Sequence, residues 1–169
     1  MKNPMNRVAC IGLALGGVFG MAGSMVTSAQ LRAAFWALDA VGLVVAASVL
    51  ALSYLRKDKQ AVAAGFLVFA IGEGVMLSGT ASSLDAGVPS FAAGSALWSA
   101  ALLLTSVPKE FAIWTRLTGI VAAILFAIGA AQLFWGVALT PLSRPRPFFG
   151  YPVLVLTFAG WIWSLLKES

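Results

Sequence analysis

The chain has 169 residues, of which 60% are hydrophobic and only 10% are charged, and its formal net charge at pH 7 is +5. Soluble domains carry about 25% charged residues, so this composition excludes an ordinary soluble protein and, more firmly, a disordered one. It predicts an all-α, polytopic membrane protein whose first partner is the lipid bilayer.

The residue inventory also excludes much catalytic and metal chemistry. The chain contains no histidine and a single cysteine, Cys10. Histidine-ligated haem, histidine-based metal sites and histidine-based catalytic triads therefore cannot form within this chain. We expect no metal, no cofactor and no enzymatic activity.

Six predominantly apolar runs approach the roughly 20 residues that a membrane-spanning helix needs. In chain order they cover residues 8–28, 33–54, 61–83, 90–107, 118–139 and 152–166. The connections are short and include residues 29–32 and 84–89, which we predict as turns. The first run exceeds the roughly 7–15 apolar residues of a signal peptide, so we expect a retained helix. The sequence thus predicts one domain over residues 1–169 with six transmembrane helices.

The basic residues indicate the orientation of these helices. Six crossings place both termini on one side, which then holds eight of the eleven Lys and Arg residues, while Arg32, Arg144 and Arg146 lie on the other. The positive-inside rule predicts cytoplasmic termini in the cell (inner) membrane. The cations are scattered over short turns, so we expect no nucleic-acid partner.

A short pattern recurs in the third and fifth runs. Phe-Ala-Ile-Gly occupies residues 69–72 and 126–129, and Gly79 and Gly136 follow at the same offset. This arrangement fits three successive two-helix hairpins, a parallel repeat of a kind found in some transport proteins. A chain this rich in Ala, Gly and Leu also produces such a match by chance, so both interpretations remain open.

Polar side chains inside the apolar runs are the best candidates for a functional site. They are Asp39 in the second run, Glu73 in the third and Gln132 in the fifth. Burial of an ionisable group in a bilayer costs several kcal/mol unless the group is partnered or wet. In the predicted helices, Asp39 lies about 9 Å and Glu73 about 15 Å from the outer helix end.

Small residues beside the two acids predict which way they point. Asp39 shares a helix face with Gly42 and Ala46, and Glu73 lies beside Gly74 and Ser78. Such small residues suit close helix packing. We therefore expect both carboxyl groups to face the interior of the bundle.

Two roles remain open for these carboxyl groups. A carboxyl group without a counter-charge in a low-dielectric medium favours its neutral form, which can donate a structural hydrogen bond. Alternatively, Glu73 and Asp39 form a proton or cation relay, or a polar contact for a small solute that enters from outside.

The predicted outer connection between the fifth and sixth runs carries two cations. Arg144 and Arg146 alternate with three prolines in residues 141–147. We consider contacts with an anion, with lipid headgroups or with an acid such as Asp39 or Asp85. The alternative is an ordinary solvated turn at the interface.

Tryptophan and glycine positions add further expectations. Aromatic belts are predicted from Trp36 and Trp135 at the outer boundary and from Trp114, Trp161 and Trp163 at the inner one. Trp98, in the middle of the fourth run, is expected to pack in the core or, alternatively, to stack on a substrate. The small face formed by Gly12, Gly16 and Gly20 predicts helix packing within the bundle, or else a homodimer contact.

The sequence favours permeation, transport or sensing of a small solute or proton through a polar site at Glu73 and Asp39. The alternative is a non-catalytic membrane subunit that packs against and stabilises a larger membrane complex. A water-sized cavity shared by the two acids would favour transport, whereas sealed and hydrogen-bonded acids would favour the subunit.

Overall fold

A computed structural model of the chain describes residues 4–80, 84–136 and 147–167. These residues form six helices and no strand. The helices are α1 (Pro4–Met25), α2 (Ala29–Arg56), α3 (Gln60–Thr80), α4 (Leu84–Ser106), α5 (Ile113–Phe134) and α6 (Pro147–Lys167). Each of these described helices is long and apolar enough to cross a membrane. The predicted all-α architecture is confirmed, and the chain is an integral membrane protein.

The helices form a closed ring. Within the described residues, each helix packs against the next helix in the chain, and α1 packs against α6. Consecutive helices run in opposite directions, so α1, α3 and α5 end where α2, α4 and α6 begin. We call this end of the ring the far end, and the opposite end, which carries the chain termini, the terminal end.

Two predicted turns are wrong, because they lie inside helices. Residues 29–32 form the first turn of α2, whose N-cap Ser28 accepts a hydrogen bond from the Leu31 amide at 3.4 Å. Residues 84–89 form the start of α4, with Pro89 in its second turn. Hydropathy marks the part of a helix that lies in lipid, whereas backbone hydrogen bonds continue through the polar residues at its ends. The connection between α1 and α2 therefore covers residues 26–28, ahead of the predicted turn.

Aromatic side chains fill the centre of the ring. Phe66 and Phe69 of α3 meet Trp161 of α6, with ring centroids 4.8 and 6.1 Å apart. Phe69 also stacks on Trp98 of α4 at 4.8 Å, with the two ring planes only 6° apart. Such pairs add about 0.5–1.5 kcal/mol each beyond the burial of their area. These four residues, which we call the aromatic column, connect α3 with α6, two helices that are not adjacent in the ring of helices.

Exposure sorts five of the six tryptophans into two groups, and Trp36, predicted at the outer boundary, is partly buried. Trp135 is 84% exposed, and Trp114 and Trp163 are about half exposed, as expected of side chains at a membrane interface. Trp161 is 1% exposed, so its predicted place in an aromatic belt is wrong. It lies in the core, where it packs against Phe66 and Phe69 of α3. Trp98 is buried in the core, as expected.

The small face of α1 packs inside the bundle rather than against a second copy. Gly12, Gly16 and Gly20 are all buried. A Cβ atom at Gly12 would overlap the Gly42 carbonyl of α2, and one at Gly16 would overlap Leu43. Glycine is required here because the two backbones approach so closely.

Polar contacts close the terminal end. Lys59, between α2 and α3, forms an ion pair of 2.9 Å with Glu110, between α4 and α5. The Arg116 guanidinium of α5 donates hydrogen bonds of 2.9 Å to the carbonyl oxygens of Ser106 and Val107 at the end of α4. These contacts satisfy backbone carbonyls that the helix end leaves without an intrahelical partner.

Candidate functional site

Asp39 and Glu73 line the same cavity in the far half of the ring. Their side chains are 5% and 4% exposed, respectively. The cavity has a volume of about 80 Å³ and is partly open. We call it the Asp39–Glu73 cavity. It is lined by Gly20, Ser24, Trp36, Asp39, Glu73, Met76, Leu77, Thr80, Phe91, Ser95, Trp98, Phe126, Leu133 and Tyr151.

Every helix contributes to the lining, and the lining residues show which way the cavity opens. Ser24, Thr80 and Leu133 lie within the last turn of α1, α3 and α5 at the far end, whereas Trp98 lies deep in α4. The cavity therefore runs from the far end of the ring towards the aromatic column. A solute that reached the two acids would enter from that end.

Asp39 lies farther along its helix than expected. It is about 15 Å along α2 from Ala29, because α2 begins before its apolar run, and Glu73 lies about 10 Å along α3 from Thr80. Both carboxyl groups nevertheless point into the ring, as predicted.

A buried tyrosine connects Asp39 to the first helix. The Tyr151 hydroxyl oxygen lies 3.0 Å from Asp39 Oδ1 and 3.0 Å from the Gly16 carbonyl oxygen. The hydroxyl has one proton to donate, and the carbonyl can only accept. Both contacts are full hydrogen bonds when a protonated Asp39 donates to Tyr151 and Tyr151 donates to Gly16. The geometry thus suits a neutral Asp39 in a fixed hydrogen-bonded chain.

Glu73 has a different environment. Its Oε2 atom is buried and has no hydrogen-bond partner among the described residues. The indole nitrogen of Trp98, which lines the same cavity, is likewise buried without a partner there. A buried polar atom without a partner costs about 1–3 kcal/mol. These two atoms are therefore the lining groups with the most to gain from a ligand.

A glycine makes room for the tyrosine. A Cβ atom at Gly20 would overlap the hydroxyl and the ring of Tyr151. The glycine lets the Tyr151 hydroxyl reach the Gly16 carbonyl one turn earlier on α1. The small face of α1 thus serves the site as well as the helix packing.

The lining contains acids and no cations. The described Lys and Arg residues lie at or near the helix ends, at Arg7, Arg32, Arg56, Lys57, Lys59, Lys109, Arg116 and Lys167. Arg32 comes nearest, because its guanidinium carbon lies 5.9 Å from the centroid of the Trp36 ring. Its side chain also donates a hydrogen bond to the Val26 carbonyl at 3.3 Å. It therefore lies at the edge of the cavity rather than beside the acids.

The structure separates the other predicted site residues from the two acids. Gln132 is partly exposed and is not a lining residue. Gly74 and Ser78 face outwards. The expectation that these small residues beside Glu73 pack inside the bundle is therefore wrong. Helix α3 instead packs through Gly65, Gly72 and Gly79. Arg144 and Arg146 lie outside the described residues.

Sequence reasoning missed Tyr151. The structure places it at the start of α6, in the segment Gly150-Tyr151-Pro152, and α4 carries Gly87-Val88-Pro89 at the same position. In both segments the glycine is buried and the proline lies in the second turn. This Gly-x-Pro correspondence would have drawn attention to Tyr151.

The donor set of the cavity defines its chemistry. Two carboxyl groups and a phenol can exchange protons, accept hydrogen bonds and neutralise a positive charge. Among the described residues, no group of three or more His, Cys, Asp or Glu side chains is arranged to hold a metal ion. Compared with known protein families, with curated proteins and with solved structures, the chain shows no match.

Proposed function

We propose that this protein moves a small solute or protons across the membrane through the Asp39–Glu73 cavity. The observation that carries the proposal is that two acids on different helices meet at one partly open cavity. Buried acids in membrane proteins characteristically mark ion and proton pathways. The role is non-enzymatic.

The two acids have different roles in this proposal because their contacts differ. Asp39 is held by Tyr151, so it positions the far halves of α1, α2 and α6. Glu73 has a carboxyl oxygen without a partner among the described residues and is the group that exchanges its proton or contacts the solute. The mobile proton therefore resides on Glu73 in this proposal.

We further propose that the cavity opens to the outside of the cell membrane. Every described Lys and Arg residue except Arg32 lies nearer the terminal end than the far end. By the positive-inside rule the terminal end is then cytoplasmic. The solute would reach Glu73 from the opposite side.

The test is flux in proteoliposomes that carry a pH gradient, followed with a trapped pH indicator. Glu73→Gln keeps the size and hydrogen-bonding capacity of the neutral acid but cannot release a proton. We expect it to unfold at the same temperature as the unaltered protein and to lose flux at least about tenfold, which corresponds to 1.4 kcal/mol. Ser78→Ala is the matched control on α3, because the Ser78 hydroxyl is exposed and binds only its own helix.

The alternative function predicts a different pattern. In a non-catalytic subunit, Glu73→Gln would behave as the unaltered protein does. A stoichiometric partner would also co-purify in mild detergent. A fully active Glu73→Gln variant would contradict the transport proposal.

A further inference from the structure

The walls of the Asp39–Glu73 cavity combine aromatic rings with acids. Five aromatic residues line it: Trp36, Phe91, Trp98, Phe126 and Tyr151. The faces of such rings carry negative charge and attract cations within about 6 Å of the ring centre. The combination of aromatic walls, two carboxyl groups and no lining cation predicts a positively charged ligand.

Trp36 already accepts a cation on its ring face. The Arg32 guanidinium lies 5.9 Å from the Trp36 ring centroid. The Trp36 and Phe91 rings meet nearly edge to face, with centroids 6.2 Å apart, and both line the cavity. A cation in the cavity therefore contacts aromatic walls as well as Glu73.

The ligand class follows from what the walls cannot supply. A hard metal cation such as Ca²⁺ is held by several carboxylate and carbonyl oxygen atoms, but among the described residues no group of three or more His, Cys, Asp or Glu side chains is arranged to hold a metal ion. Aromatic and aliphatic walls instead suit the carbon atoms of an organic cation. The lining offers no Lys or Arg side chain to neutralise an anion.

The volume limits the size of this cation. A cavity must have a volume of about 10–15 Å³ to hold one water molecule. The volume of about 80 Å³ therefore admits a ligand of a few non-hydrogen atoms. Methylammonium, ethylammonium and propylammonium fall within this range. A bulky cation such as tetrabutylammonium does not.

We propose that the Asp39–Glu73 cavity binds a small alkylammonium ion, with the Glu73 carboxylate as its counter-ion. This inference rests on the proposed function and names the class of its solute. In the unliganded state Glu73 is protonated. When the ion binds, the O–H bond of Glu73 breaks, the proton leaves to water at the far end, and a carboxylate–ammonium pair forms. One proton is therefore released for each cation bound.

The titratable groups that face Glu73 are few. In the cavity lining, α2 contributes Asp39 and α6 contributes Tyr151, whereas the lining residues from α1, α4 and α5 carry no titratable side chain. Arg32 lies at the cavity edge, on Trp36. Asp39 is engaged with Tyr151, so Glu73 is the group that changes charge when the cation binds.

The test is binding to the full chain in detergent, measured by calorimetry and by tryptophan fluorescence. Methylammonium, ethylammonium and propylammonium are the probes, with potassium chloride, 1-propanol and tetrabutylammonium as comparisons. We expect saturable binding of the alkylammonium ions only. Glu73→Gln should weaken it at least about tenfold and Trp36→Leu several-fold, while Ser78→Ala leaves it unchanged. In weakly buffered solution, one proton should appear per ion bound.

The outcomes separate this inference from the proposed function. Proton flux that depends on Glu73, without alkylammonium binding, would overturn the inference and leave the proposed function in place. Binding of alkylammonium ions without any flux would overturn transport and leave the site. Binding that is equally strong in Glu73→Gln would overturn the assigned counter-ion.

Discussion

Tyr151 and Asp39 are joined by a hydrogen bond of 3.0 Å, although 112 positions separate them in the chain. The same tyrosine hydroxyl lies 3.0 Å from the Gly16 carbonyl. One hydroxyl group thus connects α1, α2 and α6 where the ring of helices closes. The packing of α1 against α6 completes the ring of helices around the cavity.

Removal of that hydroxyl is expected to weaken the closure. Tyr151→Phe keeps the aromatic side chain but leaves Asp39 and the Gly16 carbonyl without their hydroxyl partner. We expect a loss of about 1–3 kcal/mol in the free energy of unfolding, measured by thermal unfolding in detergent. Asp39→Asn should cost less, because its amide can still donate to Tyr151. Equal stability of Tyr151→Phe and the unaltered protein would contradict the connecting role.

A glycine substitution tests the same contact from α1. Gly20→Ala places a methyl group against the Tyr151 hydroxyl, and we expect a loss of about 1–3 kcal/mol from overpacking. Gly74→Ala is the matched control, since an added Cβ there meets no atom within 4 Å. It should leave the unfolding temperature unchanged or slightly raised, because alanine favours the helix more than glycine does. Equal stability of Gly20→Ala and Gly74→Ala would contradict the close contact between α1 and Tyr151.

The number of helices was predictable from the sequence, and their ends were not. An apolar run of membrane-spanning length has few other folded outcomes, because backbone polar groups in lipid must bond within the helix. The ends depend on local hydrogen bonds, such as the contact between Ser28 and the Leu31 amide. The helical start of α4 through Pro89 had no hydropathy signal either.

The sequence predicted the two acids of the site but not its other residues. Asp39 and Glu73 stand out because charge is rare in apolar runs, and the structure brings them to one cavity. Tyr151 does not stand out, since a tyrosine near the end of a membrane helix is an ordinary interfacial residue. Gln132 is polar too, but it lies in the last turn of α5 and does not line the cavity. The rotation of a helix about its own axis decides which of its side chains face the cavity, and the packing of neighbouring helices fixes that rotation.

The repeat remains a prediction with mixed support. Phe69 and Phe126 both contact Trp98 at the centre of the ring, at 4.8 and 5.1 Å. The Gly-x-Pro segments of α4 and α6 also correspond. Gly79 and Gly136 do not, because Gly79 packs against α4 while Gly136 lies beyond α5 with a φ of +85°.

The orientation of the chain is open to a direct test. A reporter fused after Ser169 marks the terminal end, and one inserted at Thr27, between α1 and α2, marks the far end. We expect a cytoplasmic signal from Ser169 and an external signal from Thr27, because basic residues gather at the terminal end. An external signal from Ser169 would reverse the topology and place the cavity mouth in the cytoplasm.

Two buried threonines offer a matched pair for the last prediction. Thr115 on α5 and Thr157 on α6 are 1% and 0% exposed. The Thr157 hydroxyl lies 3.1 Å from the Thr118 hydroxyl and 3.2 Å from the Val153 carbonyl, whereas the Thr115 hydroxyl has no partner among the described residues. Valine has nearly the same shape as threonine and lacks the hydroxyl.

Thr157→Val is expected to lower the free energy of unfolding by about 0.5–1.5 kcal/mol, because it removes a hydrogen bond. Thr115→Val should leave the free energy of unfolding unchanged or raise it, because it removes a buried hydroxyl that has no partner among the described residues. Thermal unfolding of both variants in the same detergent measures the difference. If Thr115→Val proves as destabilising as Thr157→Val, the Thr115 hydroxyl binds ordered water. The terminal half of the ring between α4, α5 and α6 would then be hydrated, because the Ser106 hydroxyl near Gly119 also lacks a partner among the described residues.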